Sequence, residues 1–217
     1  MKINFLVAQL ESSVGNIEQN YQKIKKVFLE AEKKNFDFLI TTELALSGYP
    51  PKDLLLREDF INSTKFYLNK LKDLTNKKQC NLCLGSPYLK NKELYNSLLI
   101  LNGGKIKKII NKTILPNYGV FDEKRYFNPG EIDSNIFHYK NKKICFLICE
   151  DFWNIKFVKY QLIHKPDIII VINASPFEKK KYQERINTAQ EIVKKSGCTI
   201  IYSNLTHAQD DLVFDGG

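Results

Sequence analysis

Arginine is nearly missing from the cationic side of this 217-residue chain: of 33 basic residues, only Arg57, Arg125 and Arg185 are not lysine. Bidentate phosphate recognition favours arginine. The net charge of +9 and the pI near 9.2 are therefore read as a solvated lysine surface, not as a nucleic-acid or membrane footprint. Lys, Ile and Asn supply 30, 24 and 20 residues, the bias of an A+T-rich coding sequence. Long apolar runs are also missing. No stretch reaches the roughly 18 residues that a membrane-spanning helix needs. The start, MKINFLVAQLESSVGN, has neither a full apolar h-region nor a small-residue cleavage site, so a cytoplasmic protein is expected. Five cysteines, an odd number, argue against a disulfide framework. Neither G-x-x-x-x-G-K-[ST] nor G-x-G-x-x-G occurs, which leaves no phosphate cradle. G-x-S-x-G is missing too, and His138, His164 and His207 have no evident Ser or Asp partner pattern. Cys80 and Cys83 form a C-x2-C without a second pair at zinc spacing.

What is present alternates between two periods. Lys2–Leu10 reads as a buried strand. Ile17, Tyr21, Ile24, Val27, Phe28 and Ala31 then recur at helical spacing. A strand over Phe36–Thr41 leads into Ser47-Gly-Tyr-Pro-Pro51, a loop because two prolines forbid regular pairing. A helix follows over Asp59–Asn76. Strands are expected over Cys80–Gly85, Tyr95–Leu101 and Lys105–Ile110, the last two joined at Asn102-Gly-Gly104. Thr113–Asp133 has no period. Beyond it come a strand (Lys143–Ile148), a helix (Phe152–Ile163), a strand (Asp167–Asn173), a helix (Lys180–Ser196) and a strand (Thr199–Asn204). This alternation predicts an α/β layered fold with some antiparallel pairing. No repeat or linker divides residues 1–217. The chain closes on Asp215-Gly-Gly217 directly after the strand-like Leu212–Phe214, as expected for a fold that continues further.

Three residues stand out chemically. Cys149 ends an apolar strand just before a helix, with Asp151 placed to cap that helix. The helix N-terminus there would favour a thiolate. An inert buried thiol is the alternative. Glu43 follows a buried strand and suits a general base, or is a loop acid. Lys112 ends a strand and opens the irregular segment; it suits an electrophilic cation, or is one more lysine among 30.

Glu, Lys and Cys in this order, each at a strand end, resemble the nitrilase, or carbon–nitrogen hydrolase, superfamily. Longer strings are more specific. Glu43-Leu-Ala-Leu-Ser-Gly-Tyr-Pro-Pro-Lys-Asp-Leu-Leu55, Lys112-Thr-Ile-Leu-Pro-Asn-Tyr118 and Val120-Phe-Asp-Glu-Lys-Arg-Tyr-Phe127 resemble the glutaminase domain of bacterial glutamine-dependent NAD synthetases. So do Ile148-Cys-Glu-Asp-Phe-Trp153, Asn173-Ala-Ser-Pro-Phe177 and Gln209-Asp-Asp-Leu-Val-Phe-Asp-Gly-Gly217. The resemblance implies a four-layer α-β-β-α sandwich over 1–217, short of its last C-terminal elements. It implies glutamine amide hydrolysis, with Cys149 as nucleophile, Glu43 as base and Lys112 as oxyanion partner. It also implies glutamine contacts from Tyr118, Glu123, Ser175 and Lys181, with Arg185 a rival for the substrate carboxylate. The ammonia would serve amidation of deamido-NAD by an ATP-dependent synthetase domain, in cis or trans. The phosphate loop of that domain is absent here, so no cofactor is expected for this chain, and ATP and magnesium only for the missing domain. Self-association is expected by analogy. A free-standing amidase of the same superfamily, or an inactive fragment, are the alternatives. One departure lies before Gln209, where Thr206-His-Ala208 replaces a glycine-rich stretch of the relatives and puts a tight turn there in doubt.

Overall fold

The computed structural model describes residues 2–217. Two helices cover one side. α1 (Ile17–Lys33) buries Ile17, Tyr21, Ile24, Phe28 and Ala31, the residues whose spacing predicts it; Asn16 caps it by accepting the Gln19 N–H at 3.2 Å. α2 (Glu58–Leu74) buries Phe60, Thr64, Leu68 and Leu71. Both pack on a sheet of β1 (Phe5–Val7), β2 (Phe38–Ile40), β3 (Asn81–Lys90), β4 (Glu93–Asn102) and β5 (Lys105–Asn111), in that spatial order. β1, β2 and β3 run parallel, and β4 and β5 return as antiparallel hairpins.

The second sheet has the order β6 (Ile136–Tyr139), β7 (Lys142–Ile148), β8 (Ile168–Asn173) and β9 (Thr199–Asn204), parallel except for β6. Its outer face carries α3 (Glu150–Trp153), α4 (Ile155–Leu162) and α5 (Lys181–Ser196), through Cys145, Leu147, Phe152, Phe157, Val158, Val171 and Ile192. The inner faces meet directly. Phe38, Ile40, Leu98 and Ile100 of the first sheet close on Ile144, Phe146, Ile148, Ile170 and Ile172 of the second. This is the expected four-layer sandwich, and strands buried on both faces explain the near-continuous apolar runs.

Several local expectations change. The Lys2–Leu10 strand pairs only over Phe5–Val7. The helix expected over Phe152–Ile163 is two helices, because Asn154 leaves helical geometry and caps the second by accepting the Phe157 N–H at 3.0 Å. The Thr206-His-Ala208 departure costs no turn. These residues lie in β10 (Thr206–Gln209), paired with β11 (Leu212–Asp215), and the chain reverses at Asp210, where φ is 51°. No described helix is long and apolar enough to cross a membrane.

Gly85 in β3 is fixed by close approach. A Cβ there would lie 2.1 Å from the Thr42 carbonyl oxygen and 2.8 Å from the Leu44 nitrogen. Both contacts are rigid backbone on either side of Glu43. Gly85→Ala should therefore cost about 3 kcal/mol of stability, the upper range for overpacking, read as a lowered urea midpoint with an unchanged slope.

Candidate active site

The irregular segments that follow β2, β5, β7 and β8 converge at one edge of the sandwich. Ligand sites of α/β sheets favour such carboxyl ends. Glu43 follows β2, Lys112 follows β5, Cys149 follows β7 and Ala174 follows β8. Glu43 and Lys112 are both 0% exposed, and Glu123 is buried beside them. Lys112 Nζ donates to Glu43 Oε1 at 2.7 Å and to Glu123 Oε1 at 2.8 Å. Glu43 is held further by the Asn96 amide, donating to Oε1 at 2.8 Å, and by the Ala174 N–H, donating to Oε2 at 2.9 Å. Tyr49 donates its hydroxyl to Glu123 Oε1 at 3.0 Å.

Burial opposes the charge on Lys112, but Glu123 and Glu43 outweigh it and hold the ammonium well above the usual lysine range. Burial pushes Glu123 up, with Lys112 pulling against it and Glu43 adding to it. The lysine thus stays charged while two carboxylates share it.

Cys149 departs from the sequence expectation in one respect. Burial first, then Glu43, pushes its thiol well above the usual range, with Lys112 and the Ala174 N–H pulling down. The upward direction favours the neutral thiol at rest over the expected thiolate, and the helix that follows is only four residues long. Its backbone is unusual for a side chain with a Cβ, at φ 45° and ψ −102°. Cys149 N–H donates to Ile172 at 2.9 Å and its carbonyl accepts from Phe152 at 2.9 Å, so the bend is pinned on both sides. The adjacent Glu150 N–H opens α3, where amides have no intrahelical acceptor.

The other expected residues fall in two places. Tyr118, 58% exposed, donates to Glu150 Oε2 at 3.0 Å. Lys181 sits 4.4 Å from the centre of the Trp153 ring, a cation–π contact, on the same α3 turn. Ser175 is buried in a different network. Its N–H donates to Asn204 Oδ1 at 2.8 Å and its carbonyl accepts from Asn204 Nδ2 and Arg185 Nη2, each at 3.0 Å. Arg185 is also paired with Asp215 at 2.8 Å. Arg185 is thus engaged in holding the Ser175 loop to β11, and Lys181 is the freer cation.

Asn96, Tyr49, Glu150 and Trp153 are contacts that sequence reasoning missed. Asn96 sits mid-strand in an apolar run, Leu94–Leu101, where a buried amide is the only signal it gives. Asp151 does not cap a helix. It accepts backbone N–H groups from Thr113 and Ile114, at the end of β5. Among the described residues no group of three or more His, Cys, Asp or Glu side chains could hold a metal ion.

This arrangement has counterparts. The carbon–nitrogen hydrolase family model matches residues 7–217. The glutamine-dependent NAD(+) synthetase of Acinetobacter baylyi is 38% identical over 97% of the chain, and that of Aquifex aeolicus 36% over 99%. The chain spans only 38% and 37% of those two proteins. The solved structure of the glutamine-dependent NAD+ synthetase from Acinetobacter baumannii in complex with ADP superposes with a TM-score of 0.93 at 36% identity, over 99% of this chain and 40% of that one. A nitrilase-superfamily amidase from Nesterenkonia shares the fold, with a TM-score of 0.85 at 20% identity over 99% of this chain and 80% of its own. With the family model covering nearly every residue and the buried acid–lysine–thiol cluster at its strand ends, the chain belongs to the carbon–nitrogen hydrolase family.

Proposed function

We propose that this chain hydrolyses the side-chain amide of glutamine and supplies the ammonia to an NAD synthetase domain that lies outside these 217 residues. The observation that carries the reading is the buried Lys112, bridging Glu43 and Glu123 beside the Cys149 side chain on its pinned bend. The names of the relatives supply the substrate.

The chemistry follows from these groups. Glu43 takes the proton from Cys149 as the sulfur forms a bond to the amide carbon. The former carbonyl oxygen gains the negative charge. Lys112 spends two of its three N–H bonds on Glu43 and Glu123, which leaves one for that oxygen, with the Glu150 N–H as second donor. The carbon–nitrogen bond then breaks, and Glu43 returns its proton to the leaving nitrogen, which departs as ammonia. A glutamyl thioester remains. Water adds to it after giving a proton to Glu43, and glutamate leaves as the thiol is restored. Tyr118, Glu150 and Lys181 would hold the amino and carboxylate groups of the substrate, with Glu123 and Ser175 shaping the walls.

The test is ammonia release from glutamine beside a panel of small amides. Turnover of glutamine above all the others supports the proposal. Faster turnover of small amides would replace it with a free-standing amidase. No turnover of any amide, by a chain with a cooperative melt, would refute a self-sufficient glutaminase.

A further inference from the structure

Asp151 has no solvent exposure and takes no part in the steps above. It stands two residues past Cys149, in the first turn of α3. Its Oδ1 accepts the Thr113 N–H at 3.1 Å and the Ile114 N–H at 2.8 Å. These are the two residues directly after Lys112. Its Oδ2 faces the Ile148 N–H at 3.4 Å, directly before Cys149. One carboxylate thus ties the end of a strand in the first sheet to the bend in the second. The β4–β5 ladder stops at Asn111. Past that point the backbone of Lys112 is held by its N–H to the Asn96 carbonyl and by the Gly130 N–H to its own carbonyl, each at 2.8 Å. Both partners belong to the Lys112 side. Neither relates Lys112 to Cys149.

We propose that Asp151 is a positioning residue, a strut that sets the separation of Lys112 from Cys149. The proposal rests on the roles given to those two residues above. Burial pushes Asp151 up to about 7, with the Ile114 N–H and Lys112 pulling against it. Its Oδ1 accepts both amides in either protonation state, so the strut does not depend on charge. The Asp151→Asn change would keep that oxygen and give up only the long 3.4 Å contact from the Ile148 N–H, residue 151 staying joined to Cys149 through Glu150; Asp151→Ala would remove both.

The experiment compares the wild type with Asp151→Asn and Asp151→Ala. In Asp151→Ala, kcat for ammonia release should fall about 100-fold, the cost of roughly 1 Å of misplacement, while KM changes less than about threefold. Asp151→Asn should stay within about tenfold of the wild type. Alkylation of Cys149 by iodoacetamide, followed by peptide mapping, reads the same geometry without any amide substrate. Glu43 takes the thiol proton, the sulfur–carbon bond forms, iodide leaves, and the rate should fall in Asp151→Ala and be restored in Asp151→Asn. If Asp151→Ala melts below the assay temperature, Asp151→Ser takes its place, since its hydroxyl is too short to reach both amides. A merely structural role would lower the melting temperature and leave kcat and alkylation per folded molecule unchanged; that result overturns the proposal. So does an Asp151→Asn as slow as Asp151→Ala. Should the wild type release no ammonia from glutamine, the functional reading fails, and the alkylation series alone still decides the strut.

Discussion

Cys149→Ala should lower ammonia release from glutamine by about 10⁴-fold or more, because on the proposed mechanism no other group forms the covalent intermediate. The four remaining cysteines offer no substitute. Cys80, Cys83, Cys145 and Cys198 are all buried, and burial pushes the first three thiols up. Cys80 directly precedes β3, Cys83 lies near its start and Cys145 in mid-β7, each packed in apolar surroundings. Cys149→Ser separates two explanations. It nearly keeps the size and replaces the thiol with a hydroxyl, so the bend at φ 45° and the bonds to Ile172 and Phe152 persist. Its activity should also fall to the background, since a serine hydroxyl is a far weaker acid and a poorer nucleophile than a thiol. Steady-state ammonia assays with both variants, beside their thermal melts, check this. Activity above one-hundredth of the wild type in Cys149→Ala would remove the residue from the chemistry.

Lys112→Met should damage stability as well as turnover. The change leaves Glu43 and Glu123 buried without the cation that lies 2.7 and 2.8 Å from their oxygens. Removing one partner of a buried ion pair costs about 3–5 kcal/mol. The loss should depend on pH with a definite sign. With the lysine gone, one of the two facing carboxyls takes up a proton on folding, so its folded pKa lies above its unfolded one. The folded chain then binds more protons than the unfolded chain, and stability falls as pH rises. The gap between Lys112→Met and the wild type should therefore widen from pH 5 to pH 8 in urea titrations. Adding Glu123→Gln removes one of the two charges and should recover much of the stability. It should not recover turnover, because the donor to the oxyanion stays absent. A double-mutant cycle over Lys112 and Glu123 measures that coupling. A gap that narrows with rising pH would contradict the assigned charges.

The elements were legible where one period ran long enough. The six apolar positions of α1, five of them buried, and the two-faced run Ile144–Ile148 read directly as helix and central strand. β6 and β10 did not, for a physical reason. Each spans four residues, too few for a period of two to declare itself, and takes its place from a neighbouring strand, β7 or β11. Asn154 was hidden because an asparagine among apolar residues reads as an exposed helical position as readily as a cap. The site was legible in unequal parts. Cys149 and Glu43 follow apolar strands, a local signal. Lys112 has no local signal that separates it from 29 other lysines, and only the resemblance raised it. Its burial comes from two acids, one of them 69 residues away, that meet only after folding. Asp151 illustrates the opposite error. Its position before a helix made capping the natural expectation, and its carboxylate turned instead to a strand end that the local sequence does not mention.

Glu43 and Lys112 hang from one sheet, Cys149 and Ala174 from the other, and between the sheets lies only a layer of interdigitated side chains such as Phe38, Ile100, Phe146 and Ile170. On the proposed mechanism the reacting groups are therefore a caliper closed on the thickness of that layer. Protein interiors relax only partly around a lost methyl group. Drift in this layer would reach the jaws before it reached the melting temperature. A lineage could thus keep a well-folded sandwich and fall catalytically silent through replacements none of which touches a substrate.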